Sequence, residues 1–194
     1  MAEKKLDREL TREEKITLLK VARNSIREAL LGEKPEPPEI DSDIFHKKRG
    51  AFVTLHNHGQ LRGCVGFIIE AKPLIDTIKE MAQAAALRDS RFEPVKADEI
   101  DDIDIEISVI SPLHEIDNIN EIIVGTHGLM IRRGFFSGLL LPQVATQQGW
   151  NRQAFLEYTC LKAGLPADAW KNPDINIYIF SAQVFAEKDV MNTT

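Results

Sequence analysis

The chain has 194 residues, with 24 Lys and Arg against 30 Asp and Glu, a formal net charge of −6, and 43% hydrophobic residues. This composition is that of a folded globular chain burying roughly 70% of its unfolded surface, which excludes a disordered chain and, through its acidic balance, a general nucleic-acid binder. Two cysteines exclude a disulfide framework and a structural zinc site, and apolar runs such as 67–69 and 139–141 fall far short of the ~18–20 residues of a membrane span.

The opening MAEKKLDREL has charges with no apolar stretch behind them, so no signal peptide is expected and the cytoplasm is the expected compartment. Residues 12–31 are predicted as a helix. Thr11 is its N-cap, Glu14 completes a capping box, and Ile16, Leu19, Ala22, Ile26 and Leu30 form one apolar stripe before Gly32 stops it. EKPEPPEIDSD follows, and its prolines and acids make it a surface connector. GAFVTL (50–55) and LRGCVGFII (61–69) read as strands joined by an NHGQ turn. Gly63 and Gly66 inside the second strand mark a bulge or the close approach of another backbone. Pro73 opens a helix to about Arg88 with the stripe Leu74, Ile78, Met81, Ala82, Ala85, whose AQAAA run lets it lie flat on a sheet.

SRFEP is a loop. Residues 93–121 then hold ten acids against Lys96 alone, so the acidity is local and the rest of the chain is near +3. Within this stretch IDIEISVIS alternates with period two, a half-buried strand with Glu106 and Ser108 facing outward. GTHGLMIRRGFFSGLLLP reads as a second hairpin, with strands Leu129–Ile131 and Phe135–Leu141 turning near Arg132–Gly134 and ended by Pro142. A short helix over 143–149 follows. Asn151 caps a further helix through Ala163, Gly164 stops it, and Ile175–Phe185 is the final strand. Trp150 is expected to anchor that helix, and Cys160 sits on its apolar stripe as core. No internal repeat is present. The pattern is α+β, with mainly antiparallel sheets and packed helices.

The chemistry concentrates at LRGCVG, residues 61–66. A cysteine between glycines has exposed backbone around it, and Arg62 supplies a cation that favours the reactive thiolate. Backbone N–H groups at Gly63 and Gly66 are candidates to cradle an oxyanion or phosphate. The same residues also suit a buried small thiol on a bulged strand. A nucleophilic cysteine needs a base, drawn from His46, His56, His58, His114 and His127; His127, in a loop entering a strand, is the best placed. His56 and His58 lack a third ligand nearby and read as turn residues, so no metal is expected. Asp89 and Arg91 can pair locally, and Arg91 can hold an anionic ligand. Phosphate-loop, dinucleotide and Gly-x-Ser-x-Gly fingerprints are absent, and no cofactor is expected.

GAFVTL, LRGCVG, DSRFEP (89–94), GTHGLMI (125–131), LLLPQVA (139–145) and LKAGL (161–165) occur in this order. Together they resemble the AMMECR-type domain family, called AmmeMemoRadiSam system protein A in prokaryotes. The resemblance covers about residues 45–186, with Val65 where the family usually has Ile. It implies one α+β domain across 1–194 with two subdomains: a larger one built from N- and C-terminal segments and a smaller one, with LRGCVG near a cleft between them. It also implies association with a Memo-like protein and a radical-SAM protein in a modification pathway. Two functions are therefore expected to compete. In one, Cys64 is a nucleophile, Arg62, Gly63, Gly66, Asp89 and Arg91 bind a small anionic ligand, and His127 is the base. In the other, LRGCVG shapes a groove in a non-catalytic binding or scaffold module. Neither nucleic acid nor a membrane is an expected partner.

Overall fold

Thr11 caps the first helix, α1 (Arg12–Leu31), in the predicted way: its hydroxyl accepts the Glu14 N–H at 3.2 Å and the Glu14 carboxylate accepts the Thr11 N–H at 2.8 Å. Gly32, with φ of 67°, ends the helix in the left-handed conformation that only glycine adopts freely. The buried face is Leu18, Leu19, Val21, Ala22 and Ile26, while Ile16 and Leu30 are half-buried at its margins. The structure, a computed structural model, describes residues 8–34, 36 and 40–191. Pro35, Pro37, Pro38 and Glu39 of the expected connector, and residues 1–7 of the segment tested for a signal peptide, lie outside the described residues.

Glu14 does more than cap. Its side chain is only 5% exposed and is also bound by Arg8, at 2.6 Å, and by the Ser42 hydroxyl, at 2.5 Å. The Arg8 guanidinium, helped by Ser42 and the Thr11 N–H and opposed by burial, lowers its pKa to about 2. A depressed folded pKa gives stability that is complete above the ordinary value of 4.5 and is lost as pH falls toward about 2. Glu14→Gln is expected to cost about 1–3 kcal/mol at pH 7. The melting-temperature gap between the two proteins should close as pH is lowered from 7 to 3; a gap independent of pH would refute the assignment.

The short helix α2 (Asp43–His46) leads into β1 (Ala51–Asn57) and β2 (Gln60–Phe67), an antiparallel hairpin. His58 and Gly59 carry positive φ (48° and 78°), as the two central residues of a tight type I′ turn require. Helix α3 (Leu74–Leu87) buries the expected stripe, Leu74, Ile78, Met81, Ala82 and Ala85. Strand β3 (Ile103–Ile110) then pairs antiparallel with the other side of β1. Alternation puts Ala51, Val53 and Leu55 of β1, with Ile105, Ile107 and Val109 of β3, on one buried face, against which α1 and α3 pack. The opposite face carries Phe52, Thr54 and His56 beside Ser108, Glu106 and Asp104. Ser108 shares the face of Glu106, as its parity demands, but is buried rather than turned to solvent.

The chain divides into two units. One comprises Arg8–Ile110 and the segment from Gln183 onward; the other comprises Ser111–Ala182. The first is the larger and is built from both N- and C-terminal segments. Its sheet runs β2-β1-β3-β8, where β8 is Ala182–Ala186, and a short helix α6 (Glu187–Val190) follows. Glu187 fastens this return: it accepts from the Arg23 guanidinium at 2.7 Å and from the Ile105 N–H at 3.0 Å.

The second unit contains β4 (His114–Ile116), β5 (Gly128–Arg133), β6 (Phe136–Leu140), α4 (Pro142–Gln147), α5 (Arg152–Lys162) and β7 (Asn176–Phe180). Its antiparallel sheet has the order β4-β7-β5-β6, with α5 packed on β5 and β6. Leu129, Ile131, Phe155, Leu156, Cys160 and Ile179 share the core. Asn151 caps α5 by accepting the Ala154 N–H at 2.9 Å, and Trp150 stacks on Tyr158 with ring centroids 4.1 Å apart.

Two boundaries differ from expectation. Pro142 begins α4 instead of only ending a strand, because its fixed φ suits a helix's first position. The single final strand is two strands in two sheets, β7 and β8, broken at Ser181. There Ser181 donates its N–H to Ser111 Oγ at 2.9 Å and accepts the Ser111 N–H at 2.9 Å, so its backbone leaves the ladder. Among the described residues no helix is long and apolar enough to cross a membrane.

Candidate functional site

The hairpin register explains how Cys64 comes to its position. From the turn, Asn57 pairs with Gln60 and His56 with Leu61, but Leu55 pairs with Gly63. Arg62 is therefore the extra residue of a β-bulge. If Arg62 paired with Leu55 in a regular ladder, Cys64 would oppose Val53 and face the helices; because Arg62 bulges out instead, Cys64 opposes Thr54 and faces the other side of the sheet. The bulge thus turns the thiol out of the core. The Thr54 hydroxyl donates to Cys64 Sγ at 3.3 Å, and Glu106 is the next residue along the same cross-strand row.

The backbone of Cys64 is held on its other side by Asp89 and Arg91, from the loop after α3. Asp89 Oδ2 accepts the Cys64 N–H at 2.8 Å, and Arg91 Nη2 donates to the Cys64 carbonyl at 3.2 Å. The two side chains also bind each other, Nη2 to Oδ2 at 2.7 Å and Nε to Oδ1 at 2.9 Å. Asp89 is 6% exposed and Arg91 is 55% exposed. The Arg91 guanidinium, joined by the N–H groups of Cys64 and Arg91 and opposed by burial, holds the Asp89 carboxyl well below the usual carboxylate range. Arg91 in turn is held above its ordinary value, chiefly by its bond to Asp89.

The remaining expected residues are placed differently. Arg62 Nε and Nη2 bind the Glu99 carboxylate at 2.8 and 3.2 Å, and Nη1 binds the Glu93 carbonyl at 2.8 Å. All three guanidinium nitrogens brace the 93–99 segment, so the anion expected at Arg62 meets a cation already neutralised by Glu99. Gly63 is packed under α3: a Cβ there would lie 2.2 Å from the Ala85 carbonyl oxygen. Gly63 pairs with Leu55, and since Cys64 turns its N–H away from β1, the Gly63 N–H turns toward it and is not available for the expected oxyanion cradle. Gly66 lies under the Phe52 ring, where a Cβ would stand 2.1 Å from a ring carbon.

His127 belongs to the unit Ser111–Ala182. It is buried, and its Nδ1 accepts the Ile123 N–H at 3.2 Å in the turn before β5. That bond puts the neutral ring's proton on Nε2, which is then a donor and not a base. Cys160 is fully buried in the same unit, and burial pushes its thiol up. His46 is exposed and pairs with Asp41 at 2.7 Å.

A separate open concavity of about 570 Å³ lies at the turn end of the larger unit's sheet, lined by His56, His58, Asp101, Asp104, Glu106 and Glu187. Its acids repel an anionic ligand. Among the described residues no three His, Cys, Asp or Glu side chains are arranged to hold a metal ion.

Thr54 and Glu99 are the two site residues that sequence reasoning missed. Period-two alternation puts Thr54 on the polar face of β1, but its opposition to Cys64 depends on the bulge. Glu99 lies 37 positions from Arg62, and no local pattern joins them.

A family model described as AMMECR1 matches residues 19–185. A protein of Methanothermobacter thermautotrophicus is 48% identical over 185 residues, covering 92% of this chain and 96% of its own. One from Methanopyrus kandleri is 43% identical over 189 residues, covering 93% and 91%. The crystal structure of an uncharacterised protein from Pyrococcus horikoshii superposes with a TM-score of 0.81 at 40% identity, covering 88% of this chain and 90% of that one. The match over most of the chain, in sequence and in fold, shows that the chain belongs to the AMMECR1 family.

Proposed function

We propose that the chain is an enzyme, or the partner of an enzyme, in a cytoplasmic modification pathway shared with a Memo-like protein and a radical-SAM protein, and that Cys64 is its nucleophile or adduct carrier. The observation that carries this reading is the contrast between two thiols in one chain. Cys160 is sealed in a core and raised by burial. Cys64 is half-buried, turned out of the core by a bulge, hydrogen-bonded at sulfur by Thr54 and fixed in its backbone by Asp89 and Arg91. A hydroxyl aimed at sulfur stabilises negative charge there, and a clamped backbone removes the entropy of orienting the attacking atom. The reaction class is addition of sulfur to an electrophilic carbon. Arg91 is paired with Asp89 as Arg62 is with Glu99, but it is 55% exposed against 17% for Arg62, so it is the guanidinium open to a substrate.

Alkylation by iodoacetamide, followed by peptide mass spectrometry of the folded protein, tests this. Cys64 is expected to label at least about tenfold faster than Cys160, and Thr54→Val to slow Cys64 several-fold while leaving Cys160 unchanged. Equal labelling of the two cysteines would end the nucleophile reading.

The scaffold reading is favoured by one observation: Asp89 and Arg91 hold the backbone of Cys64 and not its sulfur. Under that reading, capture of the Memo-like protein survives Cys64→Ser and is lost with Asp89→Ala.

A further inference from the structure

Cys64 opposes Thr54, and Thr54 opposes Glu106, so the three side chains form one row across β2, β1 and β3 on the same sheet face. Opposed residues stand about 4.5–5.5 Å apart, which puts the Cα atoms of Cys64 and Glu106 about 10 Å apart. On one side of the row the Phe52 ring covers Gly66. On the other side the next row holds His56 and Asp104, and there the face opens into the concavity of about 570 Å³ whose wall includes Glu106. Glu106 thus belongs both to the row of the thiol and to the concavity, whose volume is that of a small-molecule site.

The charges around this face cancel in pairs, and Glu106 is left over. Asp89 neutralises Arg91, and Glu99 neutralises Arg62. In the wall of the concavity Asp104 takes Lys188, Glu187 takes Arg23 and Asp101 takes Arg27. Asp102 is exposed and stands in solvent. Glu106 is half-buried, and its carboxylate has neither a hydrogen bond nor an ion pair among the described residues. His56, beside it on the same face, has a buried Nδ1 that is also unpartnered. Charges withdrawn from water and buried polar atoms are ordinarily paired. Two such groups on the wall of one concavity, a single row from the thiol, match a ligand that brings positive charge and N–H donors.

We propose that Glu106 sets the specificity of the Cys64 site: the substrate is a small molecule with a cationic nitrogen, an ammonium or guanidinium, which Glu106 holds while the electrophilic carbon lies over Cys64 Sγ. This rests on the nucleophile reading for the role of the thiol, and it puts a cationic group where the sequence suggested an anion. The Asp89–Arg91 pair carries no net charge, so it does not offset Glu106. The separation of about 10 Å along the row is comparable to the screening length of about 8–10 Å at ordinary salt, so the charge of Glu106 is felt at the sulfur.

Methanethiosulfonate reagents of opposite charge test this on the full chain. The thiolate attacks the sulfenyl sulfur, a disulfide forms and methanesulfinate leaves, so the trimethylammonium-ethyl and sulfonato-ethyl reagents differ chiefly in charge. Rates at Cys64 are read by peptide mass spectrometry and divided by those of free mercaptoethanol. The cationic reagent should react at least about tenfold faster than the anionic one, with the ratio shrinking in high salt. Glu106→Gln should lower the ratio several-fold without lowering the melting temperature. Glu106→Asp should keep most of it, and Asp102→Asn should leave it within about twofold. A general change in thiol reactivity cancels in the ratio. Butylamine hydrochloride should slow the cationic reagent more than sodium chloride of equal ionic strength does, and more than a lysine-containing hexapeptide does. A ratio near or below one, a ratio that Glu106→Gln leaves unchanged, or butylamine acting only as a salt would overturn the proposal. Stronger competition by the hexapeptide would overturn the small-molecule substrate. Slow iodoacetamide labelling of Cys64 with the charge ratio intact would instead sink only the nucleophile reading.

Discussion

Gly63→Ala is expected to produce the largest loss of stability of any single methyl group added to this chain's β2 strand. The new Cβ would lie 2.2 Å from the Ala85 carbonyl oxygen and 3.1 Å from its carbon, both backbone atoms of α3. Neither can rotate aside. Helix α3 already meets the sheet through Ala82 and Ala85, so it has no side-chain length to give up. Relief requires moving α3 off β2, at a cost of about 3 kcal/mol or more, or roughly 6–12 °C in melting temperature for a chain of this size. Gly66→Ala is the matched comparison. Its clash, at 2.1 Å, is with the ring of Phe52, which can swing, so its cost should be clearly smaller. Thermal melts of the two variants decide the point. Equal losses, or a Gly63→Ala protein melting with the wild type, would contradict the assignment of Gly63 to close helix approach.

Asp89→Ala is expected to be the next most damaging change. It strands the Cys64 N–H and removes the carboxylate that neutralises Arg91. Arg91 remains half in water, which limits the charge penalty, so the expected cost is about 2–3 kcal/mol. The pH dependence follows from the depressed carboxyl. Its contribution is complete above the ordinary value of 3.8 and is lost as pH falls below it. Asp89→Asn keeps an acceptor for the Cys64 N–H but loses the ion pair, so it should fall between the wild type and Asp89→Ala at pH 7. Denaturant melts of the three proteins at pH 7 and pH 3 provide the test. Curves separated equally at both pH values would show that Asp89 acts by packing alone. Iodoacetamide labelling of Cys64 should also change in Asp89→Ala, because the strand that aims the sulfur is no longer pinned.

How much of this was legible in the sequence depended on the range of the interaction concerned. The capping box of Thr11 and Glu14, the stripe of α3 and the core position of Cys160 are set within a few residues of themselves, and local periodicity found them. The glycines of LRGCVG announced a bulge and a close approach, and both are present. Which residue bulges was not legible, because Arg62 is singled out only by counting pairs from the turn. That count decides which face Cys64 takes. The partners of Arg62 and Asp89 were hidden for a related reason. Asp89 and Arg91 were read as a local pair, which they are, but their grip on Cys64 spans 25 and 27 positions. Glu187 was invisible as a fastener of α1 and β3 because its partners lie 164 and 82 positions away. The break at Ser181 escaped notice because a polar residue within an apolar run also fits an ordinary strand.

The larger unit's composition has a consequence during synthesis. Its sheet includes β8, and Glu187 ties the segment after β8 to Arg23 of α1 and to the Ile105 N–H of β3. Residues 111–182 are made between the two parts. A nascent chain therefore emerges from the ribosome with α1, α3 and the first three strands out, the far edge of β3 unpaired and Arg23 without its carboxylate. At roughly 5–20 residues per second this state lasts several seconds while the other unit is translated. The half-made sheet thus keeps an open edge at β3 until Gln183–Val190 has been made and closes it.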